Sequence, residues 1–219
     1  MSTHTHYLIV DVETAPHPDA AQYLEPVQAA KHLRDPEKIA ADLALKEAER
    51  RADLGLDWNV NRIVAIGTAT TADADPIVWR CPDEVCEAGL LTELWRTWED
   101  EQHPHVVGFR LRTFDWPVLI QRSRLLGVRV PTIDMRRWGN RDWTDLSDLL
   151  TFDGLPHVKC MRETQKAFAR RFGIAVPDET DGKDIAALVA AGDWAQVVAH
   201  CAADVRLTRQ LAQRISVIS

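Results

Sequence analysis

The sequence contains no apolar run near the roughly 20 residues needed to cross a bilayer. Its N-terminus lacks the basic stretch followed by an apolar one that marks a secretory signal. Both absences predict a cytoplasmic protein with no membrane partner. The four cysteines (Cys81, Cys86, Cys160, Cys201) form no CxxC pair and no zinc-ligand spacing. Buried or free thiols in a reducing compartment are the expectation. Internal repeats and low-complexity segments are also missing. Positive charge is not in excess: a net charge of −7 argues against a chain that coats nucleic acid non-specifically. It does not exclude an acidic metal site beside a local basic surface. What remains is an ordinary globular composition, 46% hydrophobic and 27% charged over 219 residues. That length predicts one domain, residues 1–219.

Periodicity gives the layout. Tyr7 to Glu13 reads as a strand, and Pro16 and Pro18 then break the chain. Residues 19–31 read as a helix. A second helix begins at Asp35-Pro36, a cap acid with proline at the first helical position, and runs to about Leu54. Together they predict a helical insertion, about residues 19–56, after the first strand. Strands are expected over 61–71, 76–79, 105–109 and 132–135. Helices are expected over 83–100, from 115 to about 127, and around 144–151, 161–173, 184–191 and 193–215. Strands first, then strands alternating with helices, predict an α/β fold: a mixed sheet flanked by helices, with a helical C-terminal third.

Within the first strand, Asp11 and Glu13 stand two apart after three apolar residues. Alternation puts both carboxylates on one face. Two carboxylates side by side repel unless a cation lies between them, and hard oxygen ligands suit a divalent metal. A solvated strand end explains the pair alone equally well, so further acids decide. Asp115 opens a helix just after a buried strand; as a helix-start acid it also needs no metal. Asp204 lies among Val197, Val198, Ala202, Ala203, Val205 and Leu207, where a carboxylate is costly unless paired or metal-bound. His200 is one turn earlier on the same face. A purely structural buried His–Asp pair is the competing reading.

Charge is uneven. From Arg110 to Arg141 eight arginines face two acids, a local net of +6. Lys159 to Arg171 adds five cations against Glu163. Arginine forks suit phosphate, so these stretches suggest a polyanion-facing side. Arg122, Arg124 and Arg129 are expected to be solvated helix positions. Trp138 and Trp143, interleaved with arginines, are candidates for nucleic-acid contact or for a helix-packing pair.

Three motifs occur in order: Asp11-Val12-Glu13; Gly108-Phe109 followed by Phe114-Asp115-Trp116-Pro117-Val118-Leu119; and His200 four residues before Asp204. Together they resemble the DEDD superfamily of 3′–5′ exonucleases, across most of the chain. The group most similar is the one related to the proofreading exonuclease domain of family B DNA polymerases. The helix after Asp35-Pro36 resembles an insertion of stand-alone, often phage-encoded, members. Asp181-Gly182-Lys183-Asp184 fits as well.

The resemblance implies an RNase H-like fold and a metal-dependent 3′–5′ exonuclease. Asp11, Glu13, Asp115 and Asp204 would hold two Mg²⁺ or Mn²⁺ ions, about 3.5–4 Å apart in such sites. The product would be a nucleoside 5′-monophosphate cut from a 3′ end. In the subgroup with the four-residue spacing, the residue before the last acid is tyrosine; the histidine subgroup uses five. The resemblance therefore assigns His200 the tyrosine's role, as general base or water-orienting group. Thr14 is expected near the terminal nucleotide. Arg110 stands where the family often has asparagine and is a candidate phosphate contact. Phe114 and Trp116 flank Asp115 and are candidates to stack on terminal bases. Single-stranded DNA is the favoured substrate. RNA or oligonucleotides on the same fold, and a non-catalytic nucleic-acid-binding protein, are the alternatives. No polymerase domain is apparent, so proofreading or repair would be in trans.

Overall fold

The computed structural model describes residues 6–70, 75–100, 103–137, 141–151 and 163–218. Among the described residues, five strands form one mixed sheet: β1 (Tyr7–Pro16), β2 (Asn61–Thr70), β3 (Ile77–Arg80), β4 (His105–Gly108) and β5 (Trp143–Asp145). Their spatial order is β3-β2-β1-β4-β5. β1 pairs antiparallel with β2, and β2 with β3. β4 runs parallel to β1, and β5 to β4. The helices are α1 (Pro36–Asp53), α2 (Glu84–Asp100), α3 (Asp115–Leu125), α4 (Leu146–Thr151), α5 (Gln165–Arg171), α6 (Ile185–Ala191) and α7 (Trp194–Arg214). The expected α/β architecture is present. No helix among the described residues is long and apolar enough to cross a membrane.

β1 is the central strand and is covered on both faces. Val10 and Val12 join a core with Leu91, Trp95 and Trp98 of α2 and Trp116, Val118 and Leu119 of α3. On the other face, Ile9 packs with Val205, Leu207 and Leu211 of α7. Alternation then carries Asp11 and Glu13 to the α7 side. Gly67 lies directly opposite Asp11 in the β1–β2 ladder. A Cβ there would stand 2.8 Å from both Cys201 Sγ and Val205 Cγ2 of α7. Glycine is therefore what lets α7 lie this close to the sheet at the register of Asp11.

Two segments depart from the expected layout. Residues 19–31 hold only a short 3₁₀ turn, Ala20–Gln22, rather than a helix. Pro26 removes a donor there, and α1 side chains take the segment's backbone groups. Lys46 donates to the Gln28 carbonyl, Arg50 to the Glu25 carbonyl, and Asp42 accepts from the Ala30 N–H. Residues 132–135 do not form a strand. Asp142 accepts from the Asp134 N–H and Trp143 donates to the Asp134 carbonyl, so side chains replace a ladder. The fifth strand is Trp143–Asp145 instead, where a helix start was expected.

Arg122, expected in solvent, is 5% exposed. It lies one helical turn from Val118 and Leu119, on the buried side of α3. Its Nε and Nη2 donate to Glu87 at 2.7 and 2.8 Å, and Nη2 reaches Glu84 at 3.1 Å. Glu87 is fully buried and also accepts from the Ile63 N–H of β2. Removing one partner of such a pair strands the other charge. Arg122→Ala should cost about 3–5 kcal/mol. Urea unfolding would show a lower midpoint with an unchanged slope; a loss below about 1 kcal/mol would contradict a buried, compensated pair.

Candidate active site

Four acids from three segments converge on the middle of β1. Asp11 and Glu13 come from the strand, Asp115 from the first turn of α3, and Asp204 from the middle of α7. Asp115 is 3% exposed, and the Val12 backbone beside it favours its ionised form. Glu13, His200 and Asp204 bring ligand atoms within 4.8 Å of one another, and so do Asp11, Glu13 and Cys201. His200 Nε2 lies 3.5 Å from Glu13 Oε1 and 3.7 Å from Asp204 Oδ2. The structure thus brings together all five residues expected to be catalytic.

Crowded carboxylates resist ionisation. Burial pushes Asp11 up to about 6, although hydrogen bonds with Glu13 and Cys201 oppose the shift. Asp204 is pushed up to about 7, first by burial and then by the Asp11 charge, while His200 and Lys166 pull it down. Burial also raises Glu13 and Asp115 well above the usual carboxylate range, and the Asp11 charge raises both further. Asp11 Oδ2 and Asp204 Oδ1 are buried with no hydrogen-bond partner. Orphaned, mutually repelling carboxylate oxygens fit hard divalent cations, so this donor set could hold metal.

A cleft of about 480 Å³ opens over the acids. Thr14, Arg110 and Phe114, the candidate substrate contacts, line it. The Thr14 hydroxyl, however, is engaged with the Gly55 carbonyl, and Phe114 packs partly against the core. Arg110 is exposed, with φ at +60° in the left-handed region. Its strained turn is held by Asp145, whose carboxylate accepts the Arg110 and Arg112 N–H groups and both the N–H and hydroxyl of Ser147. Asp145 is one residue the sequence did not mark. The others are Asp178, against His200, and Gln165 on the cleft wall; Asp181, Gly182 and Lys183 of the motif that the sequence did mark line the same wall.

Trp116 is a correction. It is 2% exposed and stacks on Trp95 in the core, with ring centroids 6.0 Å apart. Successive helical residues point about 100° apart, so the neighbour of a site-facing Asp115 faces inward. Trp143 is likewise buried, and Trp138 lies outside the described residues. Several cations of the arginine-rich stretch are paired with acids, while Arg110, Arg124, Arg129, Arg136 and Arg141 remain exposed. Arg112 and Arg137 bind Asp148, Arg129 binds Glu99 and Arg136 binds Asp134. Apart from Asp134, the partners of these arginines and of Arg122 lie outside the stretch, beyond the reach of a local count. Cys81 and Cys201 are buried free thiols and Cys86 is partly buried; Cys160 lies outside the described residues.

A mixed sheet with acids from its central strand and two flanking helices has the layout of an RNase H-like nuclease domain. The chain belongs to a family described as "Predicted 3'-5' exonuclease related to the exonuclease domain of PolB", whose model matches residues 56–218. Its structure is similar to that of the family B DNA polymerase from the hyperthermophilic archaeon Pyrobaculum calidifontis. The TM-score is 0.60 at 16% identity, over 97% of this chain and 24% of that one. It is also similar to the ExoI/SSB-Ct complex, with a TM-score of 0.51 at 12% identity, over 97% of this chain and 41% of that one. The chain thus spans less than half the length of either. No curated protein matches the sequence.

Proposed function

We propose that this chain is a divalent-metal-dependent 3′–5′ exonuclease that releases nucleoside 5′-monophosphates from single-stranded DNA. The observation that supports it most is that Asp11, Glu13, Asp115 and Asp204 line one cleft, with two buried carboxylate oxygens left unpartnered. These four residues would hold two ions, Mg²⁺ or Mn²⁺. When bound, such ions supply positive charge against the carboxylates, lower the pKa of water and stabilise charge on the attacked phosphate. DNA is favoured because the family is related to the exonuclease domain of a DNA polymerase.

The chain's own residues supply the rest. Arg110, exposed on the cleft rim, meets a backbone phosphate. Phe114 offers a ring to a terminal base. Thr14 borders the terminal nucleotide through its backbone, since its hydroxyl is engaged elsewhere. His200 faces the acids through Nε2 and takes the proton of the attacking water. The water oxygen bonds to phosphorus as the P–O3′ bond breaks, and the leaving 3′ oxygen takes a proton from solvent. A nucleoside 5′-monophosphate leaves, and the shortened strand ends in a 3′ hydroxyl. Action in trans with a polymerase or repair machinery is consistent with this product.

Substrate choice is tested by competition. Equal amounts of matched single-stranded DNA and RNA are mixed with the protein and Mg²⁺, and mononucleotides are separated by chromatography. Deoxynucleotides should appear first and dominate. Ribonucleotides released faster would replace DNA with RNA in this account.

A further inference from the structure

His200 is 1% exposed, and both ring nitrogens face carboxylates. Nδ1 lies 2.5 Å from Asp178 Oδ2, a hydrogen bond. Nε2 is 3.5 and 3.7 Å from Glu13 and Asp204, beyond hydrogen-bond length. An ionised carboxylate only accepts, so the Asp178 contact assigns a proton to Nδ1.

Asp178 is itself held in place, in the irregular segment between α5 and α6. Its Oδ1 accepts from the Thr180 N–H at 3.2 Å. Lys166 of α5 lies 3.5 Å from Oδ2 and also donates to the Thr180 carbonyl. Gln196, one turn before His200 on α7, donates to the Thr180 hydroxyl at 2.9 Å. Burial alone would push the Asp178 carboxyl up, but hydrogen bonds from His200 and Thr180 outweigh it and hold it at about 2. Asp178 is thus a fixed anion throughout the neutral range. It is also ordered by residues from two helices rather than by His200 alone.

We propose that Asp178 is the positioning residue of the site: it fixes His200 with the proton on Nδ1 and so presents Nε2 to Glu13 and Asp204. The inference rests on the exonuclease reading above, in which Nε2 meets the attacking water. An outer carboxylate behind a working imidazole sets both tautomer and ring orientation. Asp178 need not touch substrate or metal to do this. It acts on turnover through His200.

Asp178→Asn keeps the size and removes the charge, and its amide donates to Nδ1 as readily as it accepts. On single-stranded DNA, kcat should fall about 10–100-fold with KM within about twofold. His200→Ala should fall at least as far, and adding Asp178→Asn to it should cost little more, because the two act as a unit. Nitrogen-15 NMR of histidine-labelled protein, with His200→Ala assigning the signal, gives a second readout that needs no turnover. A slowly exchanging proton should sit on Nδ1 in the wild type and be lost in Asp178→Asn. Wild-type kcat in Asp178→Asn, losses that add in full, or an Nδ1 without a proton in the wild type would each overturn the assignment. If the wild type releases no nucleotide from any strand, the exonuclease reading fails, and the NMR signal alone decides the role of Asp178.

Discussion

Asp11→Asn lowers hydrolysis of single-stranded DNA by on the order of 10³-fold and, without metal, yields a more stable protein than the wild type. The two effects have one cause. Asp11 sits beside Glu13 and under Asp204, with Oδ2 buried and unpartnered. An anion there is tolerated for what it binds rather than for what it contributes to folding. Asparagine has the same shape, removes one charge from the cluster, and its amide can donate to a neighbouring carboxylate. Metal affinity and turnover are lost while the fold gains. Thermal melting in EDTA and initial rates in Mg²⁺ check both halves. Turnover within about tenfold of wild type, or a lower melting temperature in EDTA, would contradict a metal-ligand role for Asp11.

Metal addition and pH should trade places in controlling stability. In the metal-free protein, Asp11 and Asp204 are held up at about 6 and 7, and Glu13 and Asp115 are raised as well. Unfolded carboxylates titrate near 4. The folded state therefore binds more protons than the unfolded one between roughly pH 4 and 7. The stability these groups contribute is fully present below the unfolded pKa and is lost as pH rises through the folded values. Asp178, held at about 2, works in the opposite direction. Its contribution is lost only as pH falls below about 4, outside this window. In EDTA, then, the melting temperature should drop from pH 5 to pH 8. Mg²⁺ or Mn²⁺ at 100 times its Kd should add about 2.7 kcal/mol at pH 8, or about 5–10 °C for a chain of this size. The gain should shrink toward pH 5, where protons compete for the same oxygens. A flat pH profile in EDTA, or an equal metal shift in Asp204→Asn, would contradict this picture.

The residues legible in the sequence share a property: their geometry is set by local periodicity. Asp11 and Glu13 share a face because a strand repeats every two residues, and both strand faces are covered here. His200 and Asp204 align because a helix brings residues four apart together. Asp115 was legible as a helix-start acid after a buried strand. The residues that escaped are fixed by distant partners. Asp178 lies 22 positions from His200 in an irregular segment, and Asp145 supports a loop 35 positions away. No spacing rule reaches either.

The misread residues are instructive in the same terms. Trp116 adjoins Asp115 in sequence, yet adjacency in a helix means a different face. Arg122 carried an overlooked signal, its position one turn from Val118 and Leu119 on the buried stripe. Residues 19–31 have helical composition, but the cationic side chains of α1 capture their carbonyls. Gly67 gave only the general hint of a strand glycine; the close approach of Cys201 and Val205 became visible once α7 was in place.

We propose that the acids on β1, α3 and α7 form a metal-dependent centre that removes nucleotides from a 3′ end. A time course on 5′-labelled single-stranded DNA, wild type against Asp11→Asn, with and without Mg²⁺, tests it most directly. A ladder that shortens one nucleotide at a time from the 3′ end, present only with wild type and metal, is expected. Release of the labelled 5′ nucleotide at the outset, internal cuts, or an undiminished ladder from Asp11→Asn would contradict it.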